Sequence, residues 1–255
     1  MMTRLLGTSL FALAVAAVPA LQAQNAPAKP GGDLNGTWLV RGGGGGQNNF
    51  SQSQWYAGEL PFTPAGRKAF DGNKSGKGPR QVAPAFGNDP LGGANPPGLY
   101  RALVYTRPVE FFATPGKVVQ LFEWSKFWRV IYTDGRPVPK DVPAGPFWYG
   151  YSVGHWEGDT LVVTTLALDN RAWLDEWGTP FSDQAKVEER WRRAAPDKVE
   201  LTITVNDPVY YTKPWTSVTK NFNADKEELS EVVFAPMDET VFNDRIRNPA
   251  GGLKK

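Results

Sequence analysis

Three carboxylates stand where acid–base chemistry could be built: Glu123 in KVVQLFEWSKFWRVIY, Glu189 in AKVEERWRR and Asp175 in RAWLDEWG. Side chains alternate across a strand, so a two-residue turn at Ser125 and Lys126 sets Glu123 opposite Trp128, on the face of Val119, Leu121, Val130 and Tyr132. The same parity groups Glu189 with Val187 and Trp191. Lys186, Glu188, Arg190 and Arg192 then share the other, charge-alternating face, which reads as the solvent side. A carboxyl desolvated among aromatic rings has a raised pKa, which suits a general acid or base near neutral pH. The competing expectation is that an arginine such as Arg129 or Arg193 neutralises each of them.

The only histidine, His155, lies in YGYSVGHWEGDTLVVTT. With Gly158 and Asp159 at a hairpin tip, Trp156 faces Leu161, His155 faces Val162 and Gly154 faces Val163. Trp156, Gly154, Ser152, Leu161 and Val163 then share one face. That face is expected to be the inner one, with Trp156 closing the core and space left beside Gly150, Ser152 and Gly154. His155 points outward. One histidine and no cysteine make neither a metal set nor a thiol nucleophile, so the expectation is no metal and no cofactor.

Ten tryptophans, fourteen phenylalanines and eight tyrosines exceed what a core of this size needs, and the surplus is expected to line a site for a flat ligand or a sugar ring. The best rim is Trp148, Trp173 and Trp177 with Asp175 between them, in a loop that would otherwise pack on what lies beneath it. Trp128, Tyr132 and Ser152 are the strand residues expected to contribute. No nucleophile elbow, HExxH, phosphate loop or GxGxxG before a helix is present.

These residues need elements to hold them. From residue 100 onward the chain alternates apolar and polar positions between turns, in VEFFA, KVVQLFEW, FWRVIY, YSVGHW, TLVVTT, AKVEERWRR, KVELTITV, PWTSVTKNF and SEVVFA. Short strands without helical crossovers predict an all-β fold, an antiparallel meander forming a barrel or strongly curved sheet. DLNGTWLV opens the domain, and TPAGRKAFDG, with a threonine cap, a proline in the first turn and a glycine stop, predicts one short helix near 63–71. The glycine run at 42–46 lies in a loop over 42–50. A second long loop covers 73–98, where no periodicity assigns structure.

Residues 1–23 have the charge, apolar core and small residues of an export signal, with cleavage expected near Ala20 or Ala23. Residues 24–32 read as a disordered leader, leaving one domain over 33–255 that is periplasmic or secreted. The absence of cysteine excludes disulfides and a cysteine-linked lipid anchor. The net charge of +2 is spread along the chain rather than clustered, which argues against nucleic acid, and outward charges argue against membrane insertion.

GYSVGHWEGDTLVVTT, with VIYTDGRPVPKD, AWLDEWG, VEERWRR and NDPVYYTKPW, resembles a family of exported, largely uncharacterised bacterial proteins over roughly residues 96–222. The pattern of that family runs through IYTDGR, GxSxGxWEGDTLVVDT, WLD, ERFRR and DPxxYTxPW, and it implies no established activity. Where the family often carries histidines this chain has Thr179, Phe181 and Lys186, and its usual arginine is His155, so no histidine or metal mechanism is implied. More loosely, NGTW at 35–38 is similar to the glycine-x-tryptophan opening of lipocalin-like barrels, in which the tryptophan plugs the closed end.

Two functions follow. One is an exported β-barrel that binds a small aromatic, apolar or sugar ligand. The other is a cofactor-independent acid–base enzyme, a lyase, isomerase or glycoside-processing hydrolase, that uses paired carboxylates.

Overall fold

The computed structural model describes residues 33–40, 54–93, 95–230 and 247–252. The expected signal segment, leader, glycine-rich loop and most of the SEVVFA strand lie outside the described residues.

Among the described residues the chain forms ten strands: β1 (Gly36–Val40), β2 (Val109–Thr114), β3 (Lys117–Phe122), β4 (Trp128–Tyr132), β5 (Tyr151–Glu157), β6 (Thr160–Leu166), β7 (Lys186–Ala195), β8 (Lys198–Asn206), β9 (Trp215–Thr216) and β10 (Lys220–Ala224). PWTSVTKNF is thus two strands rather than one. β10 pairs with both β1 and β8, so nine strands close into a barrel, and β9 hangs on the edge of β8 alone. Closure removes the unpaired edges that an open sheet would expose.

The meander is antiparallel except at one seam. β4 and β5 run parallel, because the long connection over 133–150 returns the chain to the end at which β4 began. The ladder there is short, joining only Ile131 to Ser152 and Tyr132 to Val153.

The inner face follows parity. Val199, Leu201, Ile203 and Val205 of β8, Val187, Glu189 and Trp191 of β7, and Leu161, Val163 and Thr165 of β6 are fully buried. Burying one such aliphatic side chain is worth about 1.5–3 kcal/mol, so these strands supply much of the drive to close. The β5–β6 hairpin has the expected register, with Gly154 opposite Val163 and Trp156 opposite Leu161. The space beside Gly154 is filled by Ile131, whose Cγ2 lies 2.9 Å from where a Cβ would stand. Trp156, however, is 37% exposed and does not close the core, because it sits beside the Gly158–Asp159 turn at the tip of the hairpin.

On β3 and β4 the expected inner face is the outer one. Val118, Gln120, Phe122, Arg129 and Ile131 are buried, whereas Val119, Leu121, Val130 and Tyr132 are half-buried and Trp128 is exposed. The β3–β4 turn also contains two more residues than expected, since Leu121, not Glu123, lies opposite Trp128. Trp124 leaves the ladder to stack on Tyr105, with ring centroids 4.8 Å apart, and takes Glu123 with it.

Helix α1 (Pro64–Gly72) forms as its sequence predicts, with the Thr63 hydroxyl accepting from the Gly66 amide at 3.0 Å. The 73–98 stretch contains two short 3-10 turns and leads into a second helix, α2 (Leu99–Val104), that the sequence did not announce. All six α2 residues are buried, so the helix plugs the barrel rather than lying on it.

Candidate functional site

Four consecutive strands contribute one inner-face polar residue each to a buried cluster: Arg129 from β4, Ser152 from β5, Thr165 from β6 and Glu189 from β7. The Arg129 guanidinium grips both Glu189 oxygens, at 2.9 and 2.5 Å. Tyr100 of α2 donates to Glu189 Oε1 at 2.9 Å, Thr165 to the same oxygen at 3.0 Å, and the Trp191 indole to Oε2 at 2.8 Å. Ser152 and Thr165 share a hydrogen bond of 3.0 Å, and Ser152 accepts from Arg129 at 3.3 Å. Arg129 Nε donates to the Gln120 carbonyl, which leaves the buried Gln120 amide nitrogen without a hydrogen-bond partner.

Burial by itself pushes the Glu189 carboxyl up. The Arg129 charge and the bonds from Arg129, Trp191 and Tyr100 outweigh it, so the group lies below the usual carboxylate range and is ionised. Desolvation, with Glu189 as a negative neighbour, pushes the Tyr100 phenol well up and keeps it a donor.

The short β4–β5 ladder opens a groove of about 440 Å³ over this cluster. Its floor includes Arg129 and Ser152, both almost wholly buried. Its walls are aromatic: Trp128 and Tyr132 on the outer face of β4, then Phe147, Trp148, Tyr149 and Tyr151 along the returning chain. Gly150, at φ +67°, lets that chain pass close to β6, because a Cβ there would come 2.5 Å from Thr165 Cγ2.

The rings are held in place. Tyr149 stacks on Phe127 at 3.6 Å between centroids. Arg136 lies 3.7 Å over the Tyr132 ring, donates to the Tyr151 hydroxyl at 3.0 Å and is itself fixed by Asp134 at 2.6 Å. Arg171, tied to Asp169, lies 4.5 Å over Trp148. The aspartate of the Asp134–Gly135–Arg136 turn also accepts from the Arg136 amide, as a turn aspartate does.

Four of the six expected binding residues, Trp128, Tyr132, Trp148 and Ser152, therefore meet in one groove. Trp173 and Trp177 do not join them. Trp173 is buried with the Arg101 guanidinium 5.3 Å over its ring, and Trp177 packs against Gly78 and edge-on to Tyr56. Tyr56, Gly78 and Arg101 cover them, from a part of the chain where the sequence announced only the helix near 63–71. Asp175 is fully buried, accepting from the Trp177 amide at 2.9 Å and from the Thr179 amide and hydroxyl at 3.1 and 2.7 Å. Desolvation nevertheless leaves its pKa raised.

Glu123 is buried in the β3–β4 turn, accepting from Arg107 at 3.2 Å and from the Ser230 amide and hydroxyl at 3.0 and 2.9 Å. Its arginine is Arg107 rather than Arg129 or Arg193, whereas Glu189 is paired with Arg129 as the competing expectation had it. None of Glu123, Asp175 and Glu189 lines the groove. His155 is outward and exposed, 3.2 Å from Glu157.

Sequence reasoning missed Arg129, Phe147, Tyr149 and Tyr151 as groove residues. The run FWYGY at 147–151 was the available signal, since so dense an aromatic stretch beside a glycine suits a wall more than a core strand. Comparisons with protein-family models, with curated proteins and with solved structures find no match to this chain.

Proposed function

We propose that this barrel is an exported binding protein that holds a small, uncharged ligand with a flat or ring-shaped face in the groove at the β4–β5 seam. The observation that carries the reading is Trp128, 62% exposed above a floor where Arg129 and Ser152 are buried. An indole held open to water beside other aromatic rings is a stacking surface in search of a partner, and a few polar groups beneath it fix orientation. Arg129 is neutralised by Glu189, so the floor presents no net charge to a ligand. That favours a polar, neutral ligand over an anion. Export rests on the apolar N-terminal segment with its single Arg4.

The paired-carboxylate enzyme draws less support. Glu189 is locked ionised by donors on both oxygens, and Glu123 and Asp175 are satisfied by separate partners.

The test is a titration of intrinsic tryptophan fluorescence with a panel of phenols and methyl glycosides. A saturable change is expected for at least one probe, and Trp128→Ala should weaken its binding about tenfold or more, equivalent to roughly 1.4 kcal/mol. A panel without a binder, or a Trp128→Ala variant that binds as well as the parent, defeats the reading.

A further inference from the structure

A second groove, of about 820 Å³, lies beside the first, and Pro146 lines both. It is formed where the 133–150 connection passes the ends of β6, β7 and β8. Its character differs from the aromatic groove. Asn170, Gln184 and Asn206 supply exposed amides, each able to donate and accept, and Lys140 and Lys186 are balanced by Asp141 and Asp183. Among the described residues that line it there is no aromatic ring, and the rings of the first groove begin across Pro146. Each groove falls in the range of roughly 300–1,000 Å³ that takes a drug-sized ligand, so together they exceed what a single ring fills.

We infer that the two grooves form one cleft for a neutral oligosaccharide, with one sugar ring stacked in the aromatic groove and the following rings hydrogen-bonded along the amide-lined trough. The chemistry matches at each step. A sugar ring presents a face of C–H groups to an aromatic ring and hydroxyls at its edge, and hydroxyls that both donate and accept pair with amides and with lysine and aspartate side chains. The balanced charge of the trough gives no advantage to an anionic or cationic chain. A planar apolar ligand would find partners in the first groove and none in the second.

This inference rests on the aromatic groove as the primary site, and the experiment separates the two. Cello-, xylo- and malto-oligosaccharides, from monosaccharide to hexasaccharide, are titrated into the protein by calorimetry, with a simple phenol as a non-sugar probe of the first groove. The expected result is that affinity rises about tenfold or more with chain length in one series. An Asn170→Ala/Asn206→Ala variant should then lose that gain while binding the monosaccharide as before, and Trp128→Ala should weaken every length. Equal affinity at all lengths would overturn the joined cleft and leave the aromatic groove standing. Phenol binding that is lost in Trp128→Ala, without binding of any oligosaccharide, would overturn the ligand class. Silence of all probes would overturn the aromatic groove itself.

Discussion

Strands β6 and β7 are paired at six positions and β7 and β8 at nine, whereas β4 and β5 meet at two. Both regions place a tryptophan in a strand beside the same buried ion pair. Trp191 on β7 points inward, is fully buried and donates to Glu189. Trp128 on β4 points outward and is 62% exposed, one residue before Arg129. The closed wall can therefore take a charged cluster into its interior, because every oxygen of Glu189 finds a donor. The seam leaves that cluster buried but opens a ring-walled groove above it. A full ladder makes a scaffold, and an interrupted one makes a site.

The comparison breaks first at Glu189. Glu189→Gln keeps the shape but leaves Arg129 buried without its counter-charge, which costs about 3–5 kcal/mol for one partner of a buried pair. Urea unfolding measures it, and an unchanged midpoint would mean that the wall does not depend on the pair.

A smaller loss is expected at the seam. Gly150→Ala and Gly158→Ala share the strain of a left-handed backbone, at φ +67° and +63°, but only the first collides with neighbours, at Thr165 and Leu168. Gly158→Ala should cost about 1 kcal/mol. Gly150→Ala should cost a further 1–3 kcal/mol or so from overpacking and should narrow the groove as well. Equal thermal shifts for the two variants would show that close passage at the seam is not required.

The closed wall carries one more charge that responds to pH. Lys220 on β10 is buried, 5.7 Å from the Trp55 ring, and desolvation lowers its pKa from 10.5 to about 8. Between those values the unfolded chain holds a proton that the folded chain does not. Lys220 therefore makes stability rise as pH rises from about 8 towards 10.5, whereas below about 8 both states hold the proton and the penalty of burying the charge stays constant. Lys220→Met should remove this contribution, so the difference between parent and variant melting temperatures should narrow or invert from pH 8 to 10. A difference constant across that range would contradict the burial of the ammonium.

Much of this contrast was legible in the sequence on one side only. The period-two runs located the strands, the Gly158–Asp159 turn set the β5–β6 register, and parity placed Glu189 inward with Val187 and Trp191. Parity fails where an interior is polar. Nothing in Val119, Leu121, Val130 and Tyr132 marks them as outward, and Gln120 with Arg129 looks like a solvent face until Glu189 and Ser152 are brought across the barrel. The parallel seam depends on where the 133–150 connection returns, which no local pattern encodes. The burial of Trp173 and Trp177 depends on Tyr56, Gly78 and Arg101, which no local pattern marks as a cover, and α2 lacks both a side-chain cap and a polar face to announce it.

The smallest stability effect is expected at the outer tryptophans, and there the comparison is sharpest. Trp191→Ala removes a buried ring and a donor to Glu189 and should cost about 3–5 kcal/mol. Trp128→Ala removes a ring that lies mostly in solvent, so its stability should stay within about 0.5 kcal/mol of the parent. Trp156, at 37% exposure, should fall between them, near 1 kcal/mol, rather than at the 3 kcal/mol or so of a ring that closes a core. Equilibrium unfolding of the three single variants orders them. If Trp128→Ala were as destabilising as Trp191→Ala, the indole would be a structural part of the seam and its exposure would need no ligand to explain it. If it unfolds as the parent does and yet loses ligand, the exposed ring is kept for binding alone.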